Sequence, residues 1–190
     1  TLNTRDNRLY ALCAELEYSE SFVPDGNALA DLLNVLGQHF HYIILDVPES
    51  GGALANEAYA NASLACIIAD QTVHSARTLI RLMRHIQGRN RPPTTHIVLN
   101  QSRAPARGAV HTRDFTSALE WPVAVSIPFD AQAPLMTENL GDPLPARSDF
   151  GRGVRALAAL LTGEGATAGK RAPQSQGQGG LFARLRGARS

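Results

Sequence analysis

The chain has 190 residues, 44% of them hydrophobic, and its 18 basic and 17 acidic residues leave a formal net charge of +1. This length allows one domain with a sizeable core plus a tail, and the near-neutral charge excludes a protein that binds polyanions over its whole surface. No apolar run approaches the roughly 20 residues of a membrane-spanning helix.

Short apolar runs alternate with helical patterns along the chain. Runs that are apolar on both faces suit strands of a parallel sheet covered by helices on each side. The predicted strands are 9–14, 42–47, 64–69, 95–100 and 123–128. Apolar residues at helical spacing predict helices over 27–37, 73–86 (with Gly88 as its stop) and 148–161 (with Ser148 as its cap). This alternation predicts an α/β fold with a doubly wound, mostly parallel sheet flanked by helices.

The composition changes near residue 163. Residues 1–162 carry a net charge of −3, whereas 163–190 carry +4. The segment 163–180 is rich in Gly, Gln, Pro and Ala and has no core pattern, which is typical of a flexible linker. We therefore predict a domain over 1–162, a linker over 163–180 and a basic amphipathic tail over 181–190.

Polar residues stand where three predicted strands end. Asp46 follows the run YIIL, Asn100 ends IVLN, and Asp130 follows Ile-Pro-Phe. Ligands of open parallel sheets bind outside the carboxyl ends of the strands, and an Asp in that place can hold Mg²⁺. Asp46 is equally well explained as a loop cap, and Asn100 and Asp130 as residues that satisfy loop amides.

Other kinds of site have little support in the sequence. The phosphate-binding pattern G-x-x-x-x-G-K-[ST] is absent, and the single lysine, Lys170, is followed by Arg171 in the linker. Cys13 and Cys66 lie in apolar runs, so we expect them to be core residues rather than metal ligands. The histidines lack metal-ligand spacing, and no G-x-S-x-G pattern indicates a hydrolase.

The order of several segments resembles the second half of a MinD/ParA-like ATPase, and more narrowly the TadZ/CpaE pilus-assembly branch. The segments are LDVP, LACIIADQTVHSARTLIRLM, IVLNQ and IPFDAQAPLMTENLGDPL, the last ending in the turn Gly141-Asp142-Pro143. The resemblance covers roughly residues 5 to 161. It implies a P-loop NTPase fold from which the first strand and the phosphate loop are missing, since both lie before Thr1 in such proteins.

The resemblance assigns roles to individual residues. Asp46 resembles the Walker B aspartate, which acts in catalysis and holds Mg²⁺ directly or through water. Pro48, Gly51 and Gly52 resemble the adjoining switch segment. Asn100 resembles the asparagine that contacts adenine, and Pro128, Phe129 and Asp130 resemble the segment lining the base. ATP and Mg²⁺ are thus the cofactors expected for an intact protein only; residues 1–190 alone are expected to be inactive.

The function implied is that of a pilus-assembly or secretion localisation factor, an ATP-dependent dimerising switch at the cytoplasmic face of the membrane. Its expected partners are a second copy and pilus or type II-type secretion components, and its expected location is cytoplasmic or peripheral at the inner membrane. The alternatives are a ParA-type DNA-segregation ATPase and a nonhydrolytic scaffold with a decayed nucleotide site. A nitrogenase-type iron protein is disfavoured because both cysteines lie in apolar runs.

Two basic segments bear on the choice among these functions. On the helix over 73–86, Arg77, Arg81 and Arg84 form either a solvated face or a DNA-binding surface, although we expect DNA not to be a partner. In the tail, an apolar stripe of Leu181, Phe182 and Leu185 is accompanied by Arg184, Arg186 and Arg189, which predicts a short anchor for an anionic membrane surface, similar to the C-terminal helix of MinD. A solvated, disordered tail is the alternative.

Overall fold

The computed structural model describes residues 2–5, 9–13, 25–48, 52–104, 106–141, 143–145 and 147–163. The strands are β1 (Leu2–Arg5), β2 (Leu9–Leu12), β3 (Leu64–Ala69), β4 (Thr94–Asn100) and β5 (Val123–Ile127). The helices are α1 (Gly26–Gly37), α2 (Gly52–Asn61), α3 (Val73–Gln87), α4 (Thr112–Ser117), α5 (Ala133–Leu140) and α6 (Asp149–Thr162). None of the described helices is long and apolar enough to cross a membrane.

The predicted fold class is confirmed: the fold is α/β, with a parallel sheet flanked by helices. Three strands form this sheet in the order β3-β4-β5, while β1 and β2 form a separate antiparallel pair. The described residues fall into two compact units, within Thr1–Ile67 plus Arg77–His96 and within Ile68–Ala76 plus Ile97–Ser190.

In the first unit, α1 packs against α2, and α3 buries one of its sides. Helix α1 begins after Asp25, whose side chain accepts a hydrogen bond from the Asn27 amide at 3.0 Å, and it packs against α2. Helix α3 buries Leu79, Met83 and Ile86, which recur at intervals of four and three residues and so lie on one side of the helix. The predicted helices over 27–37 and 73–86 are confirmed.

In the second unit, β4 and β5 form the buried centre. Ile97, Val98 and Leu99 are at most 1% exposed. The two strands run parallel, with Val98 opposite Val125 and Asn100 opposite Ile127. A strand buried like residues 97–99 of β4 reads as a continuous apolar run, which is why the sequence predicts it well.

Helix α6 lies directly against β5. Its N-terminus is capped by Ser148, as predicted: the Ser148 hydroxyl accepts a hydrogen bond from the Gly151 amide at 2.9 Å. The helix ends at Gly163, which has φ of 75°. A Cβ added to Gly153 would lie 2.9 Å from Ile127 Cα. The glycine therefore allows the close approach of this helix to the end of β5.

Three expectations for the N-terminal third are wrong. Within the run 9–14, Leu9–Leu12 form β2, which pairs with β1 rather than with the parallel sheet. Residues 42–48 belong to no helix or strand, and Ile44 is 89% exposed. Cys13 is exposed rather than in the core. A strand requires a hydrogen-bonded neighbour, and apolar composition alone does not supply one.

We expect Gly153→Ala to destabilise the protein by about 1–3 kcal/mol, because the added methyl overlaps the backbone of Ile127. Urea unfolding followed by circular dichroism measures this. The matched control is Gly37→Ala at the end of α1, where nothing lies within 4 Å of the added Cβ and the change should stay within about 0.5 kcal/mol. Equal stability of the two variants would contradict the close packing of α6.

Candidate functional site

The carboxyl ends of β4 and β5 bring two groups of predicted site residues together. Asn100 ends β4 and lies opposite Ile127, the last residue of β5, and Pro128, Phe129 and Asp130 follow directly. The Gln101 amide donates to the Ile127 carbonyl at 2.9 Å, so the pairing continues one residue beyond β4. The side chains of Asn100, Pro128, Phe129 and Asp130 are all half-buried, which is typical of residues around a crevice at a sheet edge.

Asp130 is held by backbone amides at the start of α5. Its Oδ1 accepts hydrogen bonds from the amides of Ala133 at 2.9 Å and Gln132 at 3.0 Å. These bonds, the Ala133 bond foremost, together with one from the Phe150 amide, lower the pKa of Asp130 below its ordinary value. Asp130 therefore has a structural role, which is the alternative explanation given above for a polar residue after a strand. Its Oδ1 is occupied by these two hydrogen bonds.

A chain of hydrogen bonds joins the end of β3 to the loop that follows β4. Gln71 donates through Nε2 to the Val110 carbonyl and accepts through Oε1 from the Thr112 hydroxyl at 3.1 Å. Gln101 Nε2 donates to the same hydroxyl at 3.5 Å. These bonds hold Gln101 and Val110, which lie near the two ends of the loop that follows Asn100.

A further polar residue, not among the predicted ones, lies at the carboxyl end of β3. Asp70 directly follows the run LACIIA, and its Oδ1 accepts a hydrogen bond from the Thr72 hydroxyl at 2.8 Å. The same hydroxyl accepts from the Ser75 amide at 3.1 Å, which caps α3. A sequence signal exists for Asp70, since it directly follows an apolar run in the way that Asp46 follows YIIL.

Asp46 and the predicted switch residues lie in the first unit. Asp46 and Pro48 are exposed, and Gly52 begins α2 with φ of +52°, a left-handed conformation that glycine adopts without strain. Gly51 lies outside the described residues, as does the whole tail from 181 to 190. The catalytic and metal-binding roles of Asp46, and the switch role of its neighbours, stay predictions.

The described residues do not form a complete metal site by themselves. Among them, no three His, Cys, Asp or Glu side chains cluster as metal ligands would. Mg²⁺ in nucleotide sites is bound by one or two carboxylates, by waters and by the substrate phosphates. A single carboxylate such as Asp46 fits that donor set, because the nucleotide supplies the other oxygens.

Solved structures of ParA and MinD proteins resemble this fold. A ParA family ATPase from Chlorobium tepidum TLS has a TM-score of 0.62 and 17% identity, over 73% of this chain and 57% of its own. MinD from Pyrococcus horikoshii OT3, complexed with Mg-ADP, has a TM-score of 0.61 and 15% identity, over 77% of this chain and 60% of its own. A chain of the MinC:MinD cell division protein complex from Aquifex aeolicus has a TM-score of 0.54 and 20% identity, over 73% of this chain and 57% of its own.

These likenesses show that the chain has the fold of the MinD/ParA ATPases, as the resemblance implied. No protein-family profile and no curated protein matches it. The chain spans 57% to 60% of the length of the first two of these proteins.

We expect the contribution of Asp130 to stability to depend on pH. Its folded-state pKa lies below the unfolded value of about 3.9, so the stabilisation is present above that pH and is lost as the pH falls through the folded pKa. Asp130→Asn keeps the side-chain oxygen but removes the charge. Wild type should therefore be more stable than this variant at neutral pH, and the difference should shrink below about pH 4.

Urea unfolding of both proteins from neutral to acidic pH measures that difference. Glu138→Gln, an exposed change on the same helix, is the charge-matched control. A difference between wild type and Asp130→Asn that stays constant with pH would contradict the effect of the amide hydrogen bonds on the carboxylate.

Proposed function

We propose that this chain is the larger part of a nucleotide-dependent switch of the TadZ/CpaE pilus-assembly type, which acts as a dimer at the cytoplasmic face of the membrane. The observation that carries the proposal is the adjacency of Asn100 and Pro128–Asp130 at the ends of two parallel strands, within a MinD/ParA fold. The narrower assignment to pilus assembly rests on the order of the segments from LDVP to GDPL.

In this proposal Asn100 recognises the base. A side-chain amide both donates and accepts hydrogen bonds, as pairing with an adenine edge requires. Pro128 and Phe129 supply apolar surface for the ring, while Asp130 holds the start of α5 so that this surface keeps its place. The hydrogen bonds of Gln71, Thr112 and Gln101 restrain the loop that follows Asn100.

Asp46 and the segment from Pro48 to Gly52 are proposed to respond to the phosphates. Bound Mg²⁺ would neutralise phosphate charge, and Asp46 would supply one carboxylate to it, directly or through water. The segment is proposed to turn at Gly52, whose φ is positive at the start of α2. A change near Asp46 would then move that helix and the dimer surface.

A phosphate loop supplied by further polypeptide completes this proposal. The exposed apolar run at 42–45 supports it, because such a run would be covered and paired on both sides if it formed a strand of a parallel sheet. Further proposals concern the partners: pilus or secretion components, and an anionic membrane surface contacted by the tail through Leu181, Phe182 and Leu185.

We expect residues 1–190 to bind Mg-ATP with a dissociation constant weaker than about 1 mM, because the β- and γ-phosphates lack a glycine loop and its lysine. Isothermal titration calorimetry measures this, with Asn100→Ala as the variant that tests whether any residual binding uses the base site. Micromolar affinity in wild type would contradict the proposal that the phosphates are held by a separate segment.

Deleting the gene in the source organism should abolish surface pili without causing loss of plasmids. Complementation with Asp46→Asn should fail to restore pili if the protein is a switch.

A fluorescent fusion truncated after Gly180 should lose its membrane location if the tail is the anchor. Electron microscopy of pili measures the outcome of the deletion and of the complementation, and plasmid-retention counts measure plasmid loss.

The other outcomes distinguish the alternatives. Plasmid loss with normal pili would identify a ParA-type segregation ATPase. Full restoration of pili by Asp46→Asn would identify a nonhydrolytic scaffold, and an unchanged location of the truncated fusion would exclude the membrane role of the tail.

A further inference from the structure

Helix α5 turns its large apolar side chains away from the core. They are exposed by 46% to 65% of their surface, and they are Leu135, Met136 and Leu140. The buried residue of this helix is an alanine, Ala133. At about 100° per residue, the three exposed side chains lie within an arc of about 140°, and we call them the α5 face. Apolar side chains that are grouped in this way, rather than scattered singly, indicate a contact surface.

The α5 face lies in an acidic part of the sequence. Residues 114–146 contain five acidic residues and no Lys, Arg or His. Glu138 is exposed on α5 itself, one helical turn after Leu135. Complementary charges meet across protein contacts, and like charges disfavour the wrong partner. A segment that fits the α5 face should therefore be both apolar and basic.

The tail (residues 181–190) has both properties. It combines three apolar residues with three arginines and contains no acidic residue; they are Leu181, Phe182, Leu185, Arg184, Arg186 and Arg189. Its apolar residues can cover apolar side chains, and its arginines carry the charge that the surroundings of α5 attract. The tail thus complements the α5 face in both respects.

The tail is also connected to α5 by a suitable length of chain. Residues 164–180 join it to α6, and these 17 residues span at most about 60 Å. Helix α6 packs against α5, and its 14 residues extend about 21 Å. A flexible chain of 17 residues has a root-mean-square span of about 20–25 Å, which is the same size. Such linkers give an effective concentration of about 1 mM, so even a weak contact is formed much of the time.

We propose that the tail docks on the α5 face of its own chain. Leu181, Phe182 and Leu185 cover the α5 face, and the tail arginines lie toward the acidic residues around Glu138. In this state the apolar stripe of the tail is not available to any other surface. The inference stands on α5, the linker and the tail, and it does not depend on the proposed nucleotide switch or membrane contact.

A second copy of the chain and a membrane fit the α5 face less well. In a symmetric pair of copies the same surface meets itself, which would bring the acidic surroundings of α5 in one copy against those in the other. Helices that bind anionic membranes carry Lys and Arg beside their apolar face, whereas α5 carries Glu138 and no basic residue. The tail supplies the opposite charge and is tethered nearby.

The two methionines of the chain, Met83 and Met136, allow a direct test. Met136 belongs to the α5 face, whereas Met83 is 2% exposed in the first unit and serves as an internal reference. The measurement is an NMR spectrum of carbon-13-labelled methionine methyls, recorded for the 190-residue chain and for a chain truncated after Gly180. We expect truncation to move the Met136 signal by more than its linewidth and to leave the Met83 signal in place.

A variant of full length separates docking from the loss of chain length. It carries Leu181→Ser, Phe182→Ser and Leu185→Ser. Because it keeps the charge of the tail and leaves the domain unchanged, its Met136 signal should lie where truncation puts it. The matched control, with the same number of serine substitutions in the linker, should leave the Met136 signal in place. This control carries Gln174→Ser, Gln176→Ser and Gln178→Ser.

The role of charge is tested on α5. Glu138→Lys places a positive charge beside the tail arginines, so it should reduce the difference in the Met136 signal between full and truncated chains at least about twofold. Asp31→Lys makes the same change in charge at an exposed position of α1 and should leave that difference unchanged.

Several outcomes would overturn the proposal. One is a Met136 signal that does not move on truncation, and another is equal movement of the Met83 signal, which would indicate a change in overall packing. A Met136 signal of the full chain that reaches its truncated position on dilution would assign the α5 face to a second copy. Broadening of the Met136 signal of the truncated chain by phosphatidylglycerol vesicles would assign that face to a membrane.

Discussion

The parallel pairing of β4 with β5 is the interaction on which the candidate site depends. It buries Ile97, Val98 and Leu99 almost completely, and the bond from the Gln101 amide to the Ile127 carbonyl extends it to the point where both strands end. Because the two strands point the same way, Asn100 and Pro128 emerge at one edge of the sheet. Gly153 adds a second constraint, since only a residue without a side chain lets α6 lie so close to Ile127.

The sequence predicts the second half of the chain far better than the first. From Leu64 onwards each strand is a mainly apolar run with at least one buried residue, and α3 and α6 have clear periodicity and caps, so local pattern and tertiary packing agree. Before residue 50 the helix α1 forms as its pattern predicts, but the two predicted strands of the parallel sheet do not. The runs at 9–14 and 42–47 have strand composition, but strand formation depends on a neighbour, which composition does not encode.

Some features of the candidate site could likewise be predicted from the sequence, and others could not. The position of Asn100 beside Pro128–Asp130 follows from strand order and could be predicted. The capping of α5 by Asp130 and the hydrogen bonds of Gln71 and Thr112 could not, because they join residues far apart in sequence or depend on loop conformation. Glutamine and threonine have no positional signature in a loop, so no pattern pointed to them.

The exposed run from Tyr42 to Leu45 has a consequence for handling the protein. Ile44 is 89% and Tyr42 69% exposed, and β-branched and aromatic residues of this kind favour extended pairing. Unpaired apolar segments of this composition act as templates for edge-to-edge aggregation. Purified preparations should therefore precipitate in a concentration-dependent way, and a charged residue at position 44 should improve solubility more than any change on the arginine-rich helix.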